Sequence, residues 1–94
     1  MKFVATIAYD QDHGRRDAAS AAHRAYLRGL LDNGRLFAAG PYAADAGAVW
    51  IYEAETNSDA EQVLRDDPFY DAGVFASWQI RPLAYWSAKP HKGP

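Results

Sequence analysis

The sequence predicts one small α+β domain with the element order β-α-β-β-α-β. Segments typical of strands and of helices alternate in that order, and 94 residues make a single domain. The composition adds a third observation, because 49% of the residues are apolar and 14% are aromatic, which is much apolar surface for so short a chain. We therefore expect a second copy of the chain to cover part of that surface.

The first strand and the first helix follow from residue type and periodicity. Residues 2–9 are rich in β-branched and aromatic side chains and end at turn-prone residues 10–14, which is typical of a strand. Residues 16–33 are rich in Ala, Leu and Arg and predict a helix. Its apolar positions recur at spacings of three and four and form one inward stripe: Ala19, His23, Tyr26, Leu27 and Leu30. Gly34 suits the left-handed position that ends a helix.

Two strands and a second helix are predicted in the middle of the chain. Residues 36–42 and 48–54 predict strands, and proline within the earlier one places it at an edge or a bend of the sheet. Ser58 and Glu61 have the spacing of a capping box at the start of the second helix. That helix ends before Pro68, because the residue preceding a proline avoids helical geometry.

Asp67 is predicted to cap a short helical turn that begins at Pro68 and closes at Gly73. Residues 74–84 alternate clearly and predict the last strand, with Phe75 on the face opposite Trp78. The residues after position 86 show no periodicity, so we expect a domain at residues 2–86 and a loosely ordered tail at residues 87–94.

The element order is the split βαβ arrangement of ferredoxin-like domains, with a four-stranded antiparallel sheet and both helices on one face. The other face then has no helix to cover it. A second sheet of the same kind is the simplest cover, and we predict a homodimer through the sheet face.

Charge and composition argue against several classes of partner and cofactor. Ten basic and twelve acidic residues give a net charge of −2, which disfavours a nucleic-acid binder. The chain has no cysteine, no targeting segment and no run near the ~20 apolar residues that cross a bilayer, so we expect a cytoplasmic protein without membrane contact. His13, His23 and His91 lack metal-ligand spacing, and no phosphate or dinucleotide motif is present, so we expect no metal or cofactor.

Several short segments stand in a characteristic order. They are His23-Arg24-Ala25-Tyr26-Leu27-Arg28-Gly29-Leu30-Leu31, Asn33-Gly34-Arg35-Leu36, Ala39-Gly40-Pro41, Asp66-Asp67-Pro68-Phe69-Tyr70-Asp71-Ala72-Gly73-Val74 and Trp78-Gln79-Ile80-Arg81-Pro82. In this order and spacing the chain resembles the YciI-like (YCII-related) family over residues 2–86. The resemblance implies a dimeric α/β barrel and an active site with a His–Asp pair, matched here by His23 and Asp67. A few members are lyase-like enzymes on substituted aromatic rings and most have no assigned activity, so the resemblance predicts the scaffold better than the reaction.

His23 is the leading candidate for chemistry, because an imidazole exchanges protons near neutral pH. Asp67 beside it would fix the tautomer and support the charged form. Each residue also has a structural alternative. His23 is otherwise a core histidine that bonds a backbone carbonyl, and Asp67 is otherwise a simple helix cap.

Five further residues are candidates for substrate binding. Gly40 and Pro41 shape a pocket wall, or else only kink an edge strand. Phe69 lines an aromatic cavity, or else belongs to the core or the dimer interface, and the same alternatives hold for Trp50, Trp78, Phe75 and Tyr42. Arg16 binds a substrate carboxylate at the mouth of the site, or else is a solvated charge. Ser20 donates to a ligand, or else is an incidental helix residue.

The leading functional hypothesis is a small cofactor-independent enzyme with lyase-like or isomerase-like activity. In it His23, held by Asp67, moves a proton on a small aromatic or conjugated metabolite. The alternative is a non-catalytic small-molecule-binding or accessory dimer in which the histidine anchors the ligand. A haem- or oxygen-handling barrel ranks last, because the sequence carries no haem signature.

Overall fold

The computed structural model of the protein describes residues 1–88. Its elements are β1 (Lys2–Tyr9), α1 (His13–Asp32), β2 (Leu36–Pro41), β3 (Gly47–Glu53), α2 (Asn57–Arg65), α3 (Pro68–Asp71) and β4 (Phe75–Pro82). This order confirms the predicted α+β arrangement, with α3 as the short turn after Asp67. Of the predicted tail, residues 89–94 lie outside the described part of the chain.

The four strands form one antiparallel sheet in the order β2-β3-β1-β4. The two central strands are therefore β1 and β3, and the proline-containing β2 lies at an edge, as predicted. Ala5 of β1 lies opposite Trp50 on one side and opposite Ile80 on the other. This is the ferredoxin-like topology, in which the first and third strands pair at the centre of the sheet.

The core lies between one face of the sheet and the helices. It contains alternate residues of β1 and β3 together with residues of α1, β2 and α2: Phe3, Ala5, Ile7, Ala48, Trp50, Tyr52, Leu30, Leu36, Ala60, Val63 and Leu64. The intervening residues of β1 point the other way, and Thr6 and Ala8 are exposed there. Within residues 1–88 the fully buried apolar side chains of the sheet thus lie on one face, and the other face, which no helix covers, is open.

Helix α1 carries the predicted inward stripe but starts earlier than predicted. His23 and Leu30 are buried on it, while the other three stripe residues are half-buried. The helix begins at His13 because the Asp12 side chain accepts a hydrogen bond from the Gly14 amide at 3.0 Å. It ends as predicted, with Gly34 at a φ of +80°. No helix among the described residues is long and apolar enough to cross a membrane.

Two local predictions are wrong. Helix α2 is capped by Thr56, whose hydroxyl accepts from the Asp59 amide at 3.1 Å, and not by Ser58 with Glu61. Thr56 has the extended backbone that a cap needs, whereas Ser58 already lies inside the helix.

The second wrong prediction concerns Phe75, because the alternation of residues 74–84 puts its side chain and that of Trp78 on different faces of the sheet. The pairing of β1 with β4 shifts register at Ala8 and Tyr9, and Phe75 lies opposite Tyr9. The irregularity moves the Phe75 side chain toward the core, where its ring packs 5.3 Å from the ring of Trp50.

Candidate functional site

The centre of the site is a buried pair formed by His23 of α1 and Asp67 before α3. Nδ1 of the imidazole lies 2.8 Å from one carboxylate oxygen and 2.9 Å from the other. The Asp67 residue is 1% exposed and the His23 residue 8% exposed. A carboxylate this deeply buried needs polar partners, and the imidazole is one of them.

The local sequence explains how Asp67 reaches this position. Asp67 is the N-cap of α3, and its Oδ1 accepts a hydrogen bond from the Phe69 amide at 2.9 Å. Pro68 occupies the first helical position, where no amide hydrogen is needed. The same carboxylate therefore caps a helix and meets an imidazole, so the two alternative interpretations of Asp67 are compatible.

Aromatic rings fix the plane of the imidazole. The ring of Phe69 lies parallel to it, with centroids 3.7 Å apart and planes 9° from parallel. The ring of Trp50 approaches from β3 with a centroid distance of 5.4 Å. Contacts on the ring face and on Nδ1 together leave the imidazole little freedom to rotate.

The pairing decides which nitrogen of His23 is available. An ionised carboxylate only accepts hydrogen bonds, so Nδ1 must carry a proton in this contact. In the neutral imidazole Nε2 then holds the lone pair, and no side chain or backbone group among residues 1–88 bonds to it. The histidine thus has one nitrogen held by the protein and one free for a ligand. The interpretation of His23 as a core histidine bonded to a backbone carbonyl is wrong for this structure.

A cavity of about 350 Å³ opens beside His23. Its walls come from β1, α1, β2, the turn after β2, β3 and α3: Tyr9, Arg16, Ser20, His23, Arg24, Leu27, Ala39, Gly40, Pro41, Asp45, Ala48, Trp50 and Phe69. The volume suits a small molecule, and the mixture of aromatic walls with a few polar groups is typical of a ligand pocket.

The structure brings the predicted substrate-binding residues to this one cavity: Gly40, Pro41, Phe69, Arg16 and Ser20. Asp67 lies behind His23 and does not line the cavity. The hydroxyl of Ser20 donates to the Arg16 carbonyl at 2.7 Å, so that in this arrangement its hydrogen bond stays within the helix. Of the other aromatic candidates only Trp50 reaches the cavity wall.

Two cavity residues that contact the Arg16 side chain were not predicted as site residues. Asp45, in the turn between β2 and β3, accepts from the Arg16 guanidinium at 2.8 Å. Tyr9 lies under that guanidinium, 5.0 Å from ring centroid to the Arg16 carbon. A sequence signal existed for Tyr9, because it ends β1 on the same face as the buried Ile7. Asp45 gave none, because its role depends on how the turn meets α1.

The same surroundings shift the ionisation of nearby tyrosines. Burial raises the pKa of Tyr9, and the positive charge of Arg16 partly offsets that rise. Burial also raises the pKa of Tyr52, and the nearby Asp67 carboxylate raises it further. Both hydroxyls therefore stay protonated at neutral pH. Among residues 1–88 no three His, Asp or Glu side chains cluster closely enough to hold a metal ion.

Comparison with known proteins places the chain in a family. A search of solved structures finds 5-chloro-2-hydroxyhydroquinone dehydrochlorinase (TftG) from Burkholderia phenoliruptrix AC1100, in complex with 2,5-dihydroxybenzoquinone. The similarity has a TM-score of 0.78 at 26% sequence identity and covers 92% of this chain and 96% of that chain. A search of curated proteins finds no match. The model of the YCII-related domain matches residues 1–84, and the chain therefore belongs to the YCII-related domain family.

Proposed function

We propose that the protein is a small cofactor-independent enzyme that uses His23 and Asp67 for acid–base chemistry on a small aromatic or conjugated metabolite. The observation that carries the proposal is the hydrogen bond between Nδ1 of His23 and Asp67, which leaves Nε2 free at a cavity. An imidazole held in this way is a general base with a defined lone pair.

The proposed reaction is lyase-like or isomerase-like. Nε2 of His23 takes a proton from a ring hydroxyl or a ring carbon of the ligand, and the freed electron pair moves into the conjugated system. In an elimination the leaving group stands on a tetrahedral carbon of the ring's keto tautomer, and that pair expels it as an anion while the imidazolium passes its proton to solvent. In an isomerisation the imidazolium returns its proton to another atom. Asp67 stabilises the imidazolium formed in between, and no oxidant is consumed.

The similar structure supports this class of reaction. The loss of hydrogen chloride named in its description is an elimination from a substituted ring, and its ligand is a small quinone. For the present chain, Phe69 and Trp50 line the cavity beside the imidazole with apolar ring atoms, which suits an aromatic ligand. The identity of 26% supports the chemistry and leaves the substrate of this chain open.

A homodimer through the sheet face is the second part of the proposal. The open face contains the half-buried Val4, Val49 and Ile51 together with the exposed Thr6 and Ala8. Phe37 and Trp86 are exposed and lie against each other, with ring centroids 4.8 Å apart. A second sheet of the same kind would bury this surface, and apolar burial favours association.

Turnover on a panel of substituted hydroquinones tests the catalytic proposal. The panel includes 5-chloro-2-hydroxyhydroquinone, and chloride release and product absorbance are both measured. His23→Ala is compared with His13→Ala, which removes an exposed histidine at the start of the same helix. We expect at least one panel member to be turned over, no effect of His13→Ala, and a loss of about 10²- to 10⁴-fold for a folded His23→Ala protein.

Two outcomes would reject the catalytic proposal. One is full activity of the His23→Ala protein. The other is binding without turnover across the whole panel, which would favour the alternative of a non-catalytic ligand-binding dimer. Circular dichroism and size-exclusion chromatography of each variant show that a loss of activity is not a loss of fold.

A further inference from the structure

Arg16 is held at the cavity by more than its ion pair. Its side chain is 13% exposed, its guanidinium lies over the Tyr9 ring, and it donates to the Asp45 backbone carbonyl at 3.0 Å. A planar guanidinium stacks well on an aromatic face and keeps its donors in a fixed plane. The stacking on Tyr9 and the hydrogen bond to the backbone carbonyl do not involve the Asp45 carboxylate. These two contacts therefore hold the guanidinium in place even when the carboxylate moves away.

The Asp45 carboxylate is the loosely held partner. Its side chain is 63% exposed although it accepts from Nη2 of Arg16 at 2.8 Å. Asp45 lies in the turn between β2 and β3 at a φ of +58°, a left-handed conformation that aspartate tolerates better than most residues. An exposed carboxylate contributes little to an ion pair, because water solvates it well. Displacing it from the guanidinium therefore costs little free energy.

The charges on the cavity wall favour an anion. Arg16 and Arg24 line it with permanent positive charges, and Asp45 is the carboxylate that lines it. Asp67 is buried behind His23 and engaged by the imidazole. When the Asp45 carboxylate moves away from Arg16, the wall presents an unneutralised guanidinium, which attracts negative charge in a partly enclosed site.

We propose that the cavity selects ring compounds that carry an ionised oxygen, and that this oxygen replaces the Asp45 carboxylate on the guanidinium of Arg16. The inference rests on the proposed function, since it names the substrate class of the same site. Arg16 and Asp45 are then specificity-determining residues, and His23 is the group that meets the reacting end of the ring.

The spacing along α1 fits a ligand of one ring. Arg16 and His23 are seven residues apart, which is about two turns and roughly 10 Å along a helix axis. Both side chains line the same cavity, so one ligand in it can contact both. A ring with substituents at opposite ends can then touch the guanidinium with its ionised oxygen and Nε2 with its reacting edge.

A matched pair of probes tests the selection directly by isothermal titration calorimetry. The first probe is 2,5-dihydroxybenzoquinone, whose acidic hydroxyls ionise at neutral pH. The second is 2,5-dimethoxybenzoquinone, which has the same ring and no ionisable group. We expect the wild-type protein to bind the anionic probe at least about tenfold more tightly than the neutral one, because hydrogen bonds to charged groups contribute this much.

Three variants separate the roles of the charges. Arg16→Gln is expected to remove the preference for the anionic probe. Asp45→Asn keeps the turn residue compatible with a positive φ and is expected to strengthen anion binding by about two- to fivefold, the usual contribution of an exposed ion pair. Arg15→Gln is the control, because Arg15 pairs with Asp10 and Asp12 and does not line the cavity.

The outcomes distinguish this inference from the proposed function. Equal binding of the two probes by the wild type, an Arg16→Gln protein that keeps the preference, or unchanged or weaker anion binding by Asp45→Asn would overturn the inference even if turnover is found. A preference that disappears with Arg16→Gln and grows with Asp45→Asn supports it even if no panel compound is turned over. If Arg16→Gln does not fold, Arg16→Lys replaces it. Lysine keeps the charge without the fork of donors, and we expect a reduced preference.

Discussion

His23 lies flat on Phe69, with the two ring centroids 3.7 Å apart and the planes 9° from parallel. The amide of the same phenylalanine donates to Oδ1 of Asp67, which in turn contacts Nδ1 of the imidazole. The three residues Asp67 to Phe69 therefore hold both the face and one edge of the histidine. The short helix α3 thus orients the proposed base, because its N-cap Asp67 and its second residue Phe69 contact the same imidazole ring.

Replacing Asp67 by asparagine separates its capping role from its role toward His23. Asparagine is as good an N-cap as aspartate, so we expect the free energy of unfolding to change by less than about 1 kcal/mol. If the amide oxygen caps α3, the amide nitrogen faces Nδ1 and donates to it, which forces the proton onto Nε2. We expect turnover to fall by about 10²- to 10⁴-fold, measured on whichever panel compound the wild type converts.

Asp67→Ala is the companion variant, since it removes both roles. Loss of the cap alone costs about 0.5–2 kcal/mol, so this protein should be the less stable of the two in urea unfolding. If the Asp67→Asn protein turns over the compound as fast as the wild type, the carboxylate serves only as a helix cap.

The location of the core predicts unequal effects of two leucine truncations. Leu64 of α2 is fully buried, whereas Leu31 of α1 is exposed. Leu64→Ala should lower the free energy of unfolding by about 2–5 kcal/mol, because it leaves a cavity in a packed interior. Leu31→Ala should change it by no more than about 0.5 kcal/mol. Similar effects of the two changes in urea unfolding would contradict the described packing of α1 and α2.

Tyr26 is expected to make stability depend on alkaline pH. Its hydroxyl donates to the Val63 carbonyl at 2.6 Å, and burial raises the pKa of Tyr26 to about 12 from an ordinary value of 10.0. A raised native pKa means that the stabilisation is complete below pH 10 and is lost as the pH rises through 12. Tyr26→Phe should cost about 0.5–1.5 kcal/mol at pH 7, and this difference should shrink above pH 10.

Thermal unfolding of the wild type and of Tyr26→Phe between pH 7 and 11 measures this difference in stability. Tyr85→Phe is the matched control, because Tyr85 is a highly exposed tyrosine and its substitution should leave the unfolding temperature unchanged at every pH. A constant difference between wild type and Tyr26→Phe across that range would rule out the hydrogen bond to Val63 as the source.

The open sheet face predicts a dimer that one charge can disrupt. Val49 lies on that face at the centre of the sheet, opposite Thr6. We expect sedimentation equilibrium to give a dimer for the wild type and a monomer for Val49→Arg, because a buried unpaired charge is costly. Leu31→Arg is the control. It adds the same charged side chain at an exposed position of α1, away from the open sheet face, and should leave the dimer intact. A monomeric wild-type protein would remove this part of the proposal.

Much of the fold was predictable because periodicity and glycine positions are local signals. The stripe on α1 follows from spacings of three and four, and Gly34 and Gly73 both have the positive φ that their places after helices require. The errors are also local in origin. Thr56 and Ser58 are equally plausible caps by composition, and only the backbone conformation decides between them.

The site was predictable only in part. The pairing of His23 with Asp67 came from resemblance to a family, because 44 residues separate them and no local pattern brings them together. The ion pair of Arg16 with Asp45 was missed for the same reason. It depends on how far the turn after β2 reaches toward α1, which hydrophobic periodicity does not encode.

The central claim is that His23 keeps its proton on Nδ1 and offers Nε2 to a ligand. Long-range ¹H–¹⁵N correlation NMR of the histidine side chains at pH 8, with and without 2,5-dihydroxybenzoquinone, measures this most directly. We predict the Nδ1–H tautomer for His23 and a ligand-induced shift at its Nε2, with no shift at the exposed His13. An Nε2–H tautomer, or an Nε2 signal that the ligand leaves unchanged at saturation, would contradict the account.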